Sequence, residues 1–432
     1  MKKEMIAAVV GFVLAGAVCA DVAEMPAIPG ESVQFGQNSL NRLVTISYTL
    51  ENAPAIVTVD VLTNGVSIGD EHLTTVHGDV NKVVQPGENR LIFWQPDKEW
   101  PGYKFRKGEA SVVLKGWDIG RPPDYMVVDL TETNGVRRFY VSEKALPDGG
   151  LANRNVYLKD KLVMRRIPAA GVTWKMGSST TEGGRKTDGR EEQREVTFTN
   201  DYFMAIYPVS QGQQVTAINA NTAYPSHRTN DTMVVNNTNY NQLRGSVSDN
   251  INWPSTGHDV KADSILGKWR AKTGIDFDLP TSAQWEYACR AGSGTAFNCG
   301  VDIPSSGAIV LSALNPYAWY AGTYGTSGGA IHLLGQKQPN DWGLYDMHGN
   351  SWEACLDWYS TSYDASDTIE PVGASSSSQN GRVYRGGAYG SAAQDCRCAT
   401  VNWYAPNNNT ADGQSAGWPI AYRLCCPVQL VW

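Results

Sequence analysis

The 432 residues carry 36 Lys+Arg against 43 Asp+Glu, a net charge of −7, which argues against a nucleic-acid-binding role, since that needs basic stripes to meet phosphate. With 42% hydrophobic residues the chain can bury substantial cores and is not disordered, and its length favours two or three domains over one. Its 43 Gly, 14 Trp and 20 Tyr argue for irregular backbone pinned by large side chains and against a helical bundle, where Gly is costly.

Residues 1–20 have the form of a secretory signal peptide: Lys2 and Lys3, a short apolar run from Ile6 to Val18, then the small Ala17, Cys19 and Ala20. The run is short for a membrane anchor. Val18, rather than a small residue, precedes Cys19, which argues against lipidation. No later stretch is long and apolar enough to span a bilayer. The mature chain is therefore expected to be exported, either periplasmic or extracellular. Seven cysteines remain beyond Cys19: Cys289, Cys299, Cys355, Cys396, Cys398, Cys425 and Cys426. An oxidising compartment favours disulfides among them, and the odd number leaves at least one thiol unpaired. Their spacing is not that of a zinc knuckle.

Residues 31–124 read as an all-β domain. Leu43–Leu50 and Ala55–Leu62 alternate apolar and polar, and Asn64-Gly65 is the favoured two-residue hairpin turn. Leu91–Trp94 and Ala110–Leu114 supply further strands. Short strands with Gly, Pro and Asn punctuation predict an immunoglobulin-like sandwich. It has no Cys to staple it. Residues 125–155 read as a hairpin and linker: Tyr125–Leu130, the turn Thr133-Asn134-Gly135, Arg138–Val141, then the turn-rich Leu146–Leu151. Arg165-Arg166 and Arg190-Glu191-Glu192 read as solvated charge. The dispersed His227, His258, His332 and His348 read as surface or structural residues.

Residues 156–432 hold the specific text. Leu279-Pro280-Thr281-Ser282-Ala283-Gln284-Trp285-Glu286-Tyr287-Ala288-Cys289 predicts a helix start, with Thr281 and Gln284 as a capping box and Leu279 and Trp285 as its apolar staple. Trp285 and Cys289, four apart, share one face. Gly343-Leu344-Tyr345-Asp346-Met347-His348-Gly349-Asn350-Ser351-Trp352-Glu353 follows, then Arg382-Val383-Tyr384-Arg385-Gly386-Gly387, then Cys396-Arg397-Cys398-Ala399 and Ala421-Tyr422-Arg423-Leu424. Glu286 and Arg385 read as charges that hold the fold.

In this order, over about residues 160–426, these blocks closely resemble the formylglycine-generating enzyme family, the sulfatase-modifying factor domains. The resemblance implies an α+β, elaborated C-type-lectin-like fold with little regular secondary structure. It implies a disulfide between Cys289 and Cys398. It also implies a structural calcium site at Asp346, Gly349, Ser351 and Glu353, whose carboxylates and backbone carbonyls are the hard oxygen ligands Ca²⁺ takes.

The family's enzymes oxidise a substrate cysteine with copper held by two thiolates, ligands that suit Cu(I). The first thiol position, four residues after Gly387, is Ser391 here. The second maps to Ala393 or to Cys396, depending on the direction of counting. The expectation is therefore no catalytic residue, no copper and a binding role toward a protein or glycan ligand. The alternative is an oxidase with rearranged cysteines, Cys396 with Cys355 or Cys425. The same fold resembles that of ligand-binding proteins diversified by retroelements, whose variable residues lie in the C-terminal loops. The matching text is rich in aromatics and short polar groups, which recognition surfaces use. The expected contacts are Tyr389, Ser391, Trp403, Tyr404, Asn407 and Trp418.

Overall fold

A computed structural model describes residues 25–102, 108–223, 230–245, 259–303, 311–323, 331–407 and 420–432. The expected signal segment 1–20, His227, His258 and Trp418 lie outside the described residues. Among the described residues, no helix is long and apolar enough to cross a membrane.

The N-terminal region is rich in antiparallel β-sheet. Strands β1 (Gln34–Gln37), β2 (Val44–Leu50), β3 (Ala55–Thr63), β4 (Val66–Ser67), β5 (His77–Gly78), β6 (Val83–Val84), β7 (Gly87–Trp94) and β8 (Ala110–Trp117) form two sheets. One has the order β1-β2-β7-β5, the other β4-β3-β6 with β8 along β3. Along β2, buried Val44, Ile46, Tyr48 and Leu50 alternate with half-buried neighbours, as the sequence alternation requires of a strand with one face in the core. They join Val57 and Val61 of the second sheet and Ile92 and Trp94 of β7 in a single core. Asn64 and Gly65 both take positive φ, 52° and 78°, the twisted turn that lets β3 and β4 pair.

The second unit is built on a five-stranded sheet. Strands β9 (Tyr125–Asp129), β10 (Arg137–Tyr140) and β11 (Lys161–Ile167) belong to it. The segment 125–155, read as hairpin and linker, is thus corrected in part: its hairpin forms, but β9 also pairs along β11 and so lies inside the larger domain's sheet. Met126, Val127 and Val128 are all buried, because β9 has neighbours on both edges and is covered on both faces, which a hairpin edge would not need. A ribbon of β12 (Thr173–Met176) and β13 (Arg194–Thr197) follows, and β14 (Tyr202–Ala205) returns to the main sheet beside β11. Arg165 and Arg166 are not solvated charges. Their guanidiniums sit 2.8 and 2.7 Å from Asp124, and Arg166 a further 2.6 Å from Asp201.

The helices are short: α1 (Gln211–Ile218), α2 (Tyr240–Arg244), α3 (Ile265–Thr273) and α4 (Ser282–Arg290). The capping box of α4 forms as its sequence predicts. Thr281 Oγ1 accepts the Gln284 N–H at 3.2 Å, and Gln284 Oε1 accepts the Thr281 N–H at 2.9 Å. Leu279, Trp285 and Cys289 are fully buried. Chain order then brings a short parallel pair, β15 (Ala318–Trp319) with β16 (His348–Gly349), and a second sheet of β17 (Trp352–Trp358), β18 (Arg382–Arg385), β19 (Asn402–Tyr404) and β20 (Ile420–Ala421). Its order is β19-β18-β17-β20, while β21 (Cys425–Pro427) closes the first sheet against β14.

One carboxyl under α4 carries a pH consequence. Asp357 Oδ2 accepts the Ser282 N–H at 2.7 Å, yet burial pushes this carboxyl up to about 7, against the opposing Ser282 bond and Arg385. An acid whose folded value is raised stabilises the fold fully below its unfolded value and loses that contribution as pH rises through the folded one. Asp357→Asn retains an acceptor for Ser282. The wild type is therefore expected to lose stability relative to this variant between about pH 4 and pH 7. Urea unfolding of both proteins across that range checks it; parallel curves would refute it.

Candidate functional site: the Ser391 cleft

The turn after β18 is held from beneath. Gly386 and Gly387 take φ of 92° and 80°. A Cβ on Gly387 would stand 2.5 Å from Cys396 Sγ, so close approach demands glycine there. Arg385, fully buried, places Nη1 3.1 Å from Glu286 Oε2 and donates from Nε and Nη2 to Ser282 Oγ at 2.9 and 2.7 Å. Glu286 also meets Arg290 at 2.7 Å and accepts the Gly177 N–H at 2.9 Å. Burial alone would raise the Glu286 carboxyl, but Arg290 and Arg385 outweigh it and hold it below the ordinary carboxylate value. The reading of Glu286 and Arg385 as fold-holding charges matches this geometry.

Ser391 closes the turn. Its Oγ accepts the Ala388 N–H at 3.0 Å, its own N–H donates to Ala388 O at 2.9 Å, and its carbonyl accepts from Ala321 at 2.9 Å. Among the described residues no histidine or carboxylate is hydrogen-bonded to Ser391 Oγ, so it lacks the base that would activate a serine nucleophile. Ala393 and Cys396, the two candidates for the second thiol, both lie buried in the turn Ala393–Cys396. Burial, with Asp395 adding to it, pushes the Cys396 thiol well up, and Cys396 is the one sulfur in residues 391–396. A two-thiolate copper site does not fit residues 391–396.

Ser391 opens onto a cleft of about 400 Å³ lined also by Lys186, Arg190, Trp352, Asp395 and Asn402. Lys186 pairs with Asp395 at 3.1 Å. Arg190 grips Asp188 through Nε at 2.9 and 2.8 Å and lies over the Tyr359 ring. The Trp352 indole N–H is buried and finds no acceptor among the described residues. Such a group costs free energy unless something accepts from it. Sequence reasoning missed Lys186, Arg190, Asp395 and Asn402, which three separate segments bring together. Trp352 was legible only as part of its motif. Glu191, read as solvated, is 1% exposed and receives Arg397 at 2.9 Å.

The other expected contacts divide. Tyr389 is half-buried against the core, and its N–H donates to Asn350 O at 3.1 Å. Trp403, on β19, packs on Tyr359 with ring centroids 5.9 Å apart. Tyr404 is 1% exposed and meets Tyr384 edge-on at 4.3 Å, so it belongs to the core and not to an open surface. Asn407 is exposed, and its carbonyl accepts from Asn239 Nδ2 at 3.3 Å.

The calcium set fails a donor test. Both Glu353 oxygens are committed: Oε1 to Arg423 Nη2 at 2.7 Å, and Oε2 to Arg423 Nε at 2.9 Å and Trp285 Nε1 at 2.7 Å. Asp346, at φ 57°, accepts the Gly335 N–H at 2.7 Å through one oxygen, and its other finds no partner among the described residues. Gly349 is glycine because a Cβ there would strike Trp319 O at 1.8 Å. Ser351 Oγ donates to Trp352 O at 3.3 Å. The four residues shape a tight loop, but with Glu353 held by a guanidinium they do not fit Ca²⁺ as a set.

Cys289 and Cys398 are both buried, their sulfurs 3.5 Å apart. His348 joins them, with all three ligand atoms within 4.8 Å of one another. Its ring is already used: Nδ1 meets Cys396 O at 2.8 Å and Nε2 accepts from Asn298 N at 3.2 Å. Burial brings His348 down to about 4, so it is neutral at physiological pH. By donor type the trio suits a soft metal, but His348 would have to surrender a bond to serve.

The family model for the sulfatase-modifying factor enzyme 1-like domain, FGE-sulfatase, matches residues 165–413. The chain belongs to this family. It is 29% identical over 174 residues to a formylglycine-generating enzyme of Streptomyces coelicolor, covering 40% of this chain and 52% of that protein. To the formylglycine-generating enzyme of Bos taurus it is 31% identical over 143 residues, 31% of this chain and 36% of that one. To the serine/threonine-protein kinase pkn1 of Chlamydia caviae it is 28% identical over 229 residues, 50% of this chain and 34% of the other. The matches thus span about half the length of these relatives or less. Among solved structures, Treponema denticola variable protein 1 aligns with a TM-score of 0.44 and 24% identity, over 62% of this chain and 95% of that one. PvdO from Pseudomonas aeruginosa aligns with a TM-score of 0.45 and 22% identity, over 61% and 93%.

Proposed function

We propose that this is an exported binding protein whose sulfatase-modifying-factor-like domain recognises a protein or glycan ligand at the Ser391 cleft and does not oxidise cysteine. The observation that carries the reading is Ser391 itself. An alcohol without a base lines the cleft where the family's enzymes need a thiolate, while Lys186, Arg190 and Asn402 of the same lining present polar side chains to a ligand. We read the N-terminal region as an immunoglobulin-like sandwich that spaces or presents this domain, and the domain itself as an elaborated C-type-lectin-like fold.

Two measurements test the reading. The mature chain, incubated with copper and a C-x-P-x-R peptide, is expected to leave the peptide mass unchanged; loss of mass at the cysteine would establish the oxidase instead. On peptide and glycan arrays the wild type is expected to capture a ligand that Lys186→Ala with Arg190→Ala loses. Blank arrays would retire the binding role in favour of a structural module. Export predicts that the protein recovered outside the cytoplasm begins just after Ala20, which N-terminal sequencing reads directly.

A further inference from the structure

A second cavity, larger than the Ser391 cleft, lies between the β12–β13 ribbon and the end of α4. Its volume is about 630 Å³, and Trp174, Lys175, Gln193, Tyr287, Ser293 and Asp302 are among its lining. That is the size of an ordinary small-molecule site. One wall is aromatic. The half-buried Trp174 ring is backed by Phe198, nearly parallel at 6.2 Å, and by Tyr287 at 5.2 Å. Tyr287 is in turn fixed by its hydroxyl, which donates to Pro168 O at 2.9 Å. The ring is therefore rigidly mounted, as a stacking platform must be.

The polar wall is nearly neutral in effect. Arg290 is committed to Glu286 at 2.7 Å, and the lining residue Glu182 to Arg397 at 2.6 Å. The exposed Lys175 and Asp302 remain, one charge of each sign. Asp302 is positioned by the Ala296 N–H at 2.8 Å. Gly292 and Gly294 form an open rim, with nothing within 4 Å of where a Cβ would stand. The Trp174 indole N–H, buried, has no acceptor among the described residues.

We infer that this cavity is a second binding site, separate from the Ser391 cleft, for a neutral saccharide. A pyranose has an apolar C–H face that lies on the negative face of an aromatic ring. Its hydroxyls both donate and accept, and so suit the Asp302 carboxylate and the Gln193 amide of the lining. A phosphorylated or strongly anionic ligand would face one lysine and an aspartate, which is no anion cradle. A cation would face Lys175.

Isothermal titration of the mature chain against glucose, galactose, mannose, N-acetylglucosamine, cellobiose and maltose, with glucuronate and glucosamine as charged controls, tests the assignment. At least one neutral sugar is expected to bind saturably. Trp174→Ala should weaken it about fivefold to tenfold, the loss of one stacking face. Asp302→Asn, an exposed change that keeps the Ala296 bond, should weaken it about twofold to fivefold. Lys186→Ala in the other cleft should leave it unchanged, which separates this site from the proposed function. Failure of every neutral sugar to titrate, wild-type affinity in both Trp174→Ala and Asp302→Asn, or tighter binding of a charged sugar than of every neutral one would each overturn it.

Discussion

Arg423→Ala is expected to destabilise the sulfatase-modifying-factor domain by ~3–5 kcal/mol, the usual cost of leaving one member of a buried ion pair alone. Arg423 is fully buried and uses its fork completely. It grips both Glu353 oxygens and donates to Ala205 O at 2.9 Å and Tyr345 O at 2.8 Å. Removing it strands the Glu353 carboxylate in the core between β17 and α4 and frees two carbonyls from the first sheet and its loop. Arg423→Lys should lie between wild type and Ala, since an ammonium retains the charge but not the bidentate geometry. Urea unfolding measures all three, and an Arg423→Ala curve within ~1 kcal/mol of wild type, the surface-pair range, would defeat this account. The same experiment weighs the calcium expectation. If Glu353 serves Arg423 and not a metal, adding calcium or a chelator leaves the wild-type curve unmoved.

Chain recovered from an oxidising compartment is expected to carry a Cys289–Cys398 disulfide, and reduction should cost ~4–5 kcal/mol on the chain-entropy model. The two residues are 109 apart in sequence, so the bridge removes much freedom from the unfolded chain. Burial holds the Cys289 thiol well above its ordinary value, with Cys398 beside it adding to the effect. A thiol so placed is a poor thiolate, so the bond should form during folding and resist reductant afterwards until the fold opens. Non-reducing peptide mapping would show the linked peptides, and thermal unfolding with and without reductant the loss. Unlinked peptides from exported protein would refute the pairing. Bound metal at one equivalent, with the thiols intact, would instead favour the soft-metal use of Cys289, Cys398 and His348.

Much of the fold was legible because local rules and tertiary packing agree there. The alternation of β2, the Asn64-Gly65 turn and the Thr281–Gln284 capping box each depend on residues within reach of one another along the chain. The hairpin of β9 and β10 forms as read, but its place inside the larger sheet was not legible, for the opposite reason. Its second neighbour is β11, more than 30 residues on by sequence number, and nothing local announces a strand's other edge. Arg165, Arg166 and Glu191 were misjudged alike, since whether a charge is solvated depends on a partner such as Asp124 or Arg397, which the sequence does not place.

The sequence by itself determined the family, through motifs whose residues have fixed local tasks, and it determined the missing thiol at Ser391, because identity at one position needs no coordinates. Only the tertiary structure decided what those residues touch. It placed Glu353 with Arg423 and Trp285, which leaves neither Glu353 oxygen for a metal. It brought Cys289 within 3.5 Å of Cys398. It assembled one cleft at Ser391 and a second at Trp174, each from segments far apart in the chain. Such sites arise from packing, where a side chain's role is set by neighbours that the order of residues does not name.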